Sequence, residues 1–125
     1  KIGLVPDSGG SFFLPRLIGL QRAAGLMMLG EKISGAEAAS MGMIWKAVED
    51  SELQKVVKEA AVTLAALPTT ALALIKKQLE SSAYSTLAEQ LKLEDTLQQQ
   101  AAATHDFKEG VAAFLEKRKA NFKGH

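Results

Sequence analysis

Between residues 53 and 64, the apolar residues Leu53, Val56, Val57, Ala60, Ala61 and Leu64 recur at i, i+3, i+4, i+7, i+8 and i+11. A helix of about 3.6 residues per turn gathers that series on one face, whereas a strand would scatter it over both. Ser51 with Gln54 reads as the capping box that opens this helix. Pro68 then breaks the pattern and sits near the first turn of a further helix over Thr69–Ser82, with Leu72, Ile75 and Leu79 as its buried stripe. Residues 86–103 predict another, with Leu87, Leu91, Leu97 and Ala101 on its apolar side and Gln98-Gln99-Gln100 on its exposed side. Thr104 or Asp106 caps a last helix, in which Phe107, Val111, Phe114 and Leu115 share a face. Lys117-Arg118-Lys119 falls in its last turn, where cations suit the helix dipole.

The first fifty residues are built from shorter pieces. Residues 1–8 form an apolar, extended run ending at Pro6, followed by Asp7-Ser8-Gly9-Gly10 at a helix start. Ser11 to Leu17 is a short helix limited by Pro15 and Gly19, and Gln21 to Leu29 is a second, stopped by Gly30. Ser34-Gly35-Ala36-Glu37 is a capping box for a brief helix to Met41, stopped by Gly42. Met43 to Val48 is the best strand candidate. The expected fold class is therefore mainly α, with at most one or two short strands. Residues 1–50 form one part, shaped to pack on something else, and 51–125 form a helical part. The opening Lys1-Ile2-Gly3-Leu4-Val5-Pro6 has no initiator Met and reads like the middle of a fold, so a fragment is expected.

Bulk properties exclude several function classes. With 125 residues, 47% hydrophobic and 23% charged, the chain is of globular composition and can bury a core. A net charge of +1 points to neither nucleic acid nor an anionic membrane as a partner. The absence of cysteine rules out disulfides and thiolate metal sites and fits a cytoplasmic protein. No apolar run approaches the roughly 20 residues that span a bilayer.

Asp7 is the most informative titratable residue. It stands before two glycines, which let backbone approach a ligand closely. A helix N-terminus favours its charged form, while a covering acyl chain would favour the neutral acid. A carboxylate balanced between the two can take and return a proton. The same residues also make an ordinary turn, in which Asp7 has no chemical role. Lys117-Arg118-Lys119 could hold phosphate or be a solvated helix end. His105 and His125 lie far apart in sequence without a nucleophile or metal-ligand partner. Met27, Met28, Met41, Met43 and Trp45 read as core filler. No Walker or dinucleotide fingerprint is present.

Taken in order, I-G-L-V-P-D-S-G-G-S, L-P-R-L-I-G, L-G-E-K-I-S-G-A-E-A, G-M-I-W-K-A-V, the Pro-led helix with Lys76-Lys77, and F-K-E-G-V-A-A-F-L-E-K-R form an ordered set. That set resembles the C-terminal half of the crotonase, or enoyl-CoA hydratase/isomerase, family over all 125 residues. The resemblance implies a helical part of a crotonase-like α/β fold and an acyl-CoA thioester substrate. It implies no metal and no cofactor beyond the coenzyme A of the substrate. Asp7 would be the catalytic acid/base, with Pro6, Gly9 and Gly10 around it. Phe114 and Lys117 would contact coenzyme A, and the protein would be a homotrimer or hexamer. The family's oxyanion hole and its hydratase glutamates would lie outside these residues. A carboxylate at Asp7 favours isomerase over hydratase. If the chain is naturally this short, a non-catalytic helical association module is the alternative.

Overall fold

The computed structural model describes residues 3–125. Seven α-helices carry them: α1 Gly10–Ile18, α2 Leu20–Leu29, α3 Gly35–Ser40, α4 Leu53–Ala65, α5 Thr69–Ser82, α6 Leu87–Ala102 and α7 His105–Leu115. No strand occurs among the described residues. The chain divides into two compact units, 1–54 and 55–125. Lys1 and Ile2, part of the extended run expected over residues 1–8, lie outside the described residues.

In the first unit α1 packs on α2, and Ile18, Ala23 and Ala38 are buried. A single residue, Gly19, joins the two helices. Its φ of 82° is a left-handed value that glycine adopts without a Cβ clash, and its N–H closes α1 on Pro15 O at 3.0 Å. α1 runs through Pro15 to Ile18, one residue beyond the expected Leu17, and Gly19 ends it as expected. Gly30 (φ 63°) ends α2 by donating to Leu26 O. The Ser34 box forms in full: Ser34 Oγ accepts the Glu37 N–H, and Glu37 returns to the Ser34 N–H at 2.7 Å.

Three expectations in this unit are corrected. Met43 to Val48 is irregular rather than a strand. The Met43 N–H is spent closing α3 on Ala38 O at 2.9 Å, and among the described residues no strand is present to supply a ladder. Trp45, expected as core filler, is 87% exposed. Ser51 does not cap α4 either. It lies inside a single 3₁₀ turn, Asp50–Glu52, closed by Glu52 N–H on Glu49 O. A cap residue must be extended to aim its side chain at the helix, and Ser51 is already helical.

In the second unit α6 packs on both α5 and α7 around Leu74, Leu97 and Ala113. Gln90 Nε2 donates to Gln78 O at 3.1 Å and ties α6 to α5. Thr86 and Glu89 form a second complete capping box, which the sequence reading missed. Pro68 stands at the start of α5 as expected. The expected stripes exist as faces, but they are buried only in part: Leu97 of the α6 stripe is in the core. Ile75, Leu79, Leu91, Phe107 and Leu115 are exposed, and α4 buries no residue at all. Among the described residues no single helix is long and apolar enough to cross a membrane; the bent pair Asp50–Ala65 and Thr69–Ser82 passes on length and composition.

Candidate active site

Asp7 lies three residues before α1 on a tight turn, its backbone carbonyl accepting the Gly10 N–H at 2.8 Å. The turn passes through Ser8 at φ 51° and Gly9 at φ 83°. For Ser8 the left-handed region costs roughly 1–2 kcal/mol. Gly9 is required on two counts. Its φ suits only glycine, and a Cβ there would meet Phe13 Cε2 at 2.9 Å. Pro6 flanks the turn, its Cβ 3.6 Å from where a Gly10 Cβ would sit. The Phe12 and Phe13 rings meet edge to face at 5.1 Å, and Arg16 covers the Phe12 ring at 3.6 Å. The Asp7 side chain is exposed, and the first amide of α1 goes to its backbone oxygen rather than its carboxylate. The turn thus presents an open carboxylate at a helix start.

The second unit holds an apolar groove of about 380 Å³, with Pro68, Ala101, Phe107, Val111, Phe114 and Phe122 among its walls. Phe114 is 82% exposed, so most of its ring is available for contact. The basic run does not occupy the last turn of α7 as expected. The helix ends at Leu115, and Lys117 takes up φ 53° in the turn beyond it. Lys117 N–H donates to Phe114 O at 3.3 Å and Arg118 N–H to Ala113 O at 3.0 Å. These are the two bonds of a Schellman closure, whose left-handed position is usually glycine. Arg118 is not a free phosphate ligand, because it folds back on Glu109 and Glu116.

Asp106 and Glu109 are functional-looking carboxylates that the sequence reading did not single out for this role. Thr104 caps α7 through the Phe107 N–H, which settles the earlier choice between Thr104 and Asp106. Asp106, 2% exposed, instead accepts the Lys123 and Gly124 N–H groups, both at 2.7 Å, and lies 3.3 Å from His105 Nδ1. Burial pushes its carboxyl up, but those two amides and His105 outweigh burial and hold it below its ordinary value. Glu109 is lowered to about 2, first by Arg118 and then by the Asn121 N–H. The His105 and His125 rings, distant in sequence, lie 5.7 Å apart.

The structure therefore gathers Pro6, Asp7, Gly9 and Gly10 on one turn of the first unit, and Phe114 and Lys117 at one helix end of the second. The whole chain, residues 1–125, matches the enoyl-CoA hydratase/isomerase family. It is 44% identical over 124 residues to the 1,2-epoxyphenylacetyl-CoA isomerase of Escherichia coli, covering 99% of this chain and 47% of that protein. A Rhodobacter capsulatus protein named "Probable enoyl-CoA hydratase" is also 44% identical, over 99% of this chain and 48% of its own length. The crystal structure of an enoyl-CoA hydratase from Bacillus anthracis superposes with a TM-score of 0.90 at 32% identity, covering 99% of this chain and 48% of that one. The chain thus spans about half the length of the relatives it matches. The expectation of a C-terminal half is corrected to that coarser statement, since the covered shares establish half a length and no placement within it.

Proposed function

The chain belongs to the enoyl-CoA hydratase/isomerase family, and from that premise we propose that it forms part of an enzyme acting on an acyl-CoA thioester, with Asp7 as the group that moves the proton. The carboxylate removes a proton from the acyl chain near the thioester, and the electron pair shifts onto the thioester oxygen. The same carboxyl then returns the proton further along, so that a double bond moves without net gain or loss of atoms. The enolate oxygen needs preorganised N–H donors, each worth about 10²–10³ in rate. On this reading they come from outside these 125 residues. Phe114 offers a ring face, and Lys117 a point charge for phosphate, to the coenzyme A portion. No metal and no cofactor other than that coenzyme A takes part.

One observation carries this reading. Among the described residues, Ser8 and Lys117 are the non-glycine residues with positive φ. One adjoins the proposed catalytic residue and the other is the proposed coenzyme A contact. Such backbone costs about 1–3 kcal/mol and persists where a site requires the geometry.

The finer reading is isomerisation, of 1,2-epoxyphenylacetyl-CoA in phenylacetate breakdown or of an enoyl-CoA, in the cytoplasm. The G-L-V-P-D-S-G-G and G-M-I-W stretches support it. Hydration of a 2-enoyl-CoA is the second reading, supported by the equal identity to the Rhodobacter protein. A homo-oligomer, trimer or hexamer, would cover apolar faces such as Leu53, Val57 and Leu64 of α4. If these faces serve association alone, the chain is a helical association module. Incubation of the intact protein with 2-enoyl- and 3-enoyl-CoA thioesters tests the choice. A displaced double bond at unchanged mass supports isomerase, and the gain of one water supports hydratase. No conversion of any CoA thioester would leave only association.

A further inference from the structure

Beyond Lys119 the chain turns back along α7 toward its start. Asn121 N–H donates to Glu109 at 2.8 Å, and Lys123 and Gly124 donate to Asp106. Asp106 N–H donates in turn to His125 O at 3.1 Å. On the other side Thr70 Oγ1 of α5 donates to Gly124 O at 2.6 Å. Phe122 is the residue between these attachments. Its ring lies 3.5 Å from where a Gly110 Cβ would be, and it forms a wall of the groove to which Phe114 belongs. Asp106 is not needed as a helix cap, since Thr104 fills that role. A carboxylate is costly to bury without such partners.

We propose that Asp106 is a positioning residue, which pins the backbone following Phe122 so that the Phe122 ring forms a fixed wall of the groove beside Phe114 and sets the affinity for the coenzyme A portion of the substrate. Glu109 holds the backbone on the other side of Phe122. The groove's occupant rests on the acyl-CoA reading above; the strap and its anchors do not. Asp106 lies at the edge of the groove but is 2% exposed, so its carboxylate acts through the strap it holds.

The test uses the intact protein, with calorimetry on free coenzyme A, steady-state kinetics on crotonyl-CoA and amide hydrogen exchange. Asp106→Ala should speed exchange at Lys123 and Gly124 and weaken coenzyme A binding about tenfold, raising KM with little change in kcat. Asp106→Asn keeps one acceptor oxygen and should fall between. Phe122→Ala should raise KM likewise while leaving the two amides protected, and it keeps the idea testable if Asp106→Ala does not fold. A loss of kcat at unchanged KM in these variants would show a merely structural strap and overturn the proposal. Unchanged coenzyme A affinity in both would do the same while leaving the acyl-CoA reading intact. Failure of the unaltered protein to bind coenzyme A or convert any CoA thioester would remove that reading and the proposal together.

Discussion

The guanidinium of Arg118 meets the carboxylate of Glu109 through two bonds, 2.6 Å from Nη1 and 2.9 Å from Nη2. This fork, with the Asn121 N–H, takes Glu109 from an ordinary 4.5 to about 2. A carboxylate depressed in the folded state stabilises that state above its unfolded value and stops doing so as pH falls through the folded one. The contribution of Glu109 should therefore be complete above about 4.5 and lost on acidification toward about 2. Urea unfolding of the intact protein across that window should show a falling midpoint, with part of the fall absent in Glu109→Gln. Equal slopes in the two proteins would contradict the assignment.

Lys117 pays for a left-handed backbone that glycine would adopt freely. Lys117→Gly should leave stability unchanged or raise it by up to about 1 kcal/mol, because relief of the strain is partly offset by a more flexible unfolded chain. Coenzyme A binding should weaken in the same variant. Thermal unfolding together with calorimetry on coenzyme A reads both effects. A variant that is less stable and binds normally would argue that the lysine serves the fold.

Thr86 and Glu89 satisfy each other's amides at the start of α6. Thr86→Ala should cost about 1 kcal/mol, as loss of an N-cap commonly does, without altering turnover at saturating substrate. Chemical denaturation checks the first part, and kcat on an enoyl-CoA the second.

Gly9→Ala should be far more damaging than its single methyl suggests. The residue sits at φ 83°, and the new Cβ would meet the Phe13 ring at 2.9 Å. The turn carrying Asp7 would have to shift, and a small misplacement of a reacting group can cost about a hundredfold in rate. Comparison of kcat with the far-UV circular dichroism spectrum separates a displaced turn from general unfolding.

Local features were the legible ones. The Ser34 box depends on a partner three residues away, and Gly30 on the helix it closes, so both could be read from neighbours alone. Periodicity located the bodies of the later helices, because 3.6-residue spacing is a property of the segment itself, but not the end of α7, which stops at Leu115 before the basic run. The same periodicity misjudged burial. Ile75 and Leu79 share a face, yet both remain exposed, and a stripe does not say what lies opposite. The Asp7 turn was visible in its glycines, whereas the left-handed Ser8 was not. Asp106 was invisible as an anchor because its partners lie 17 and 18 residues further on, in a tail with no pattern of its own. Met43 to Val48 had strand composition, but a strand also requires a partner, and composition does not reveal one.

Asp7→Asn in the intact protein addresses the central claim most directly. The side chain keeps its size and loses its ability to accept and return a proton. Since Asp7 is exposed on its turn, the fold and the affinity for coenzyme A should be unaffected. The expected result is a fall in kcat for enoyl-CoA isomerisation of about 10²–10⁴, the usual worth of a positioned acid/base, at nearly constant KM. A variant that isomerises its thioester within about twofold of the unaltered enzyme would show that the proton moves elsewhere, and Asp7 would then be a turn residue only.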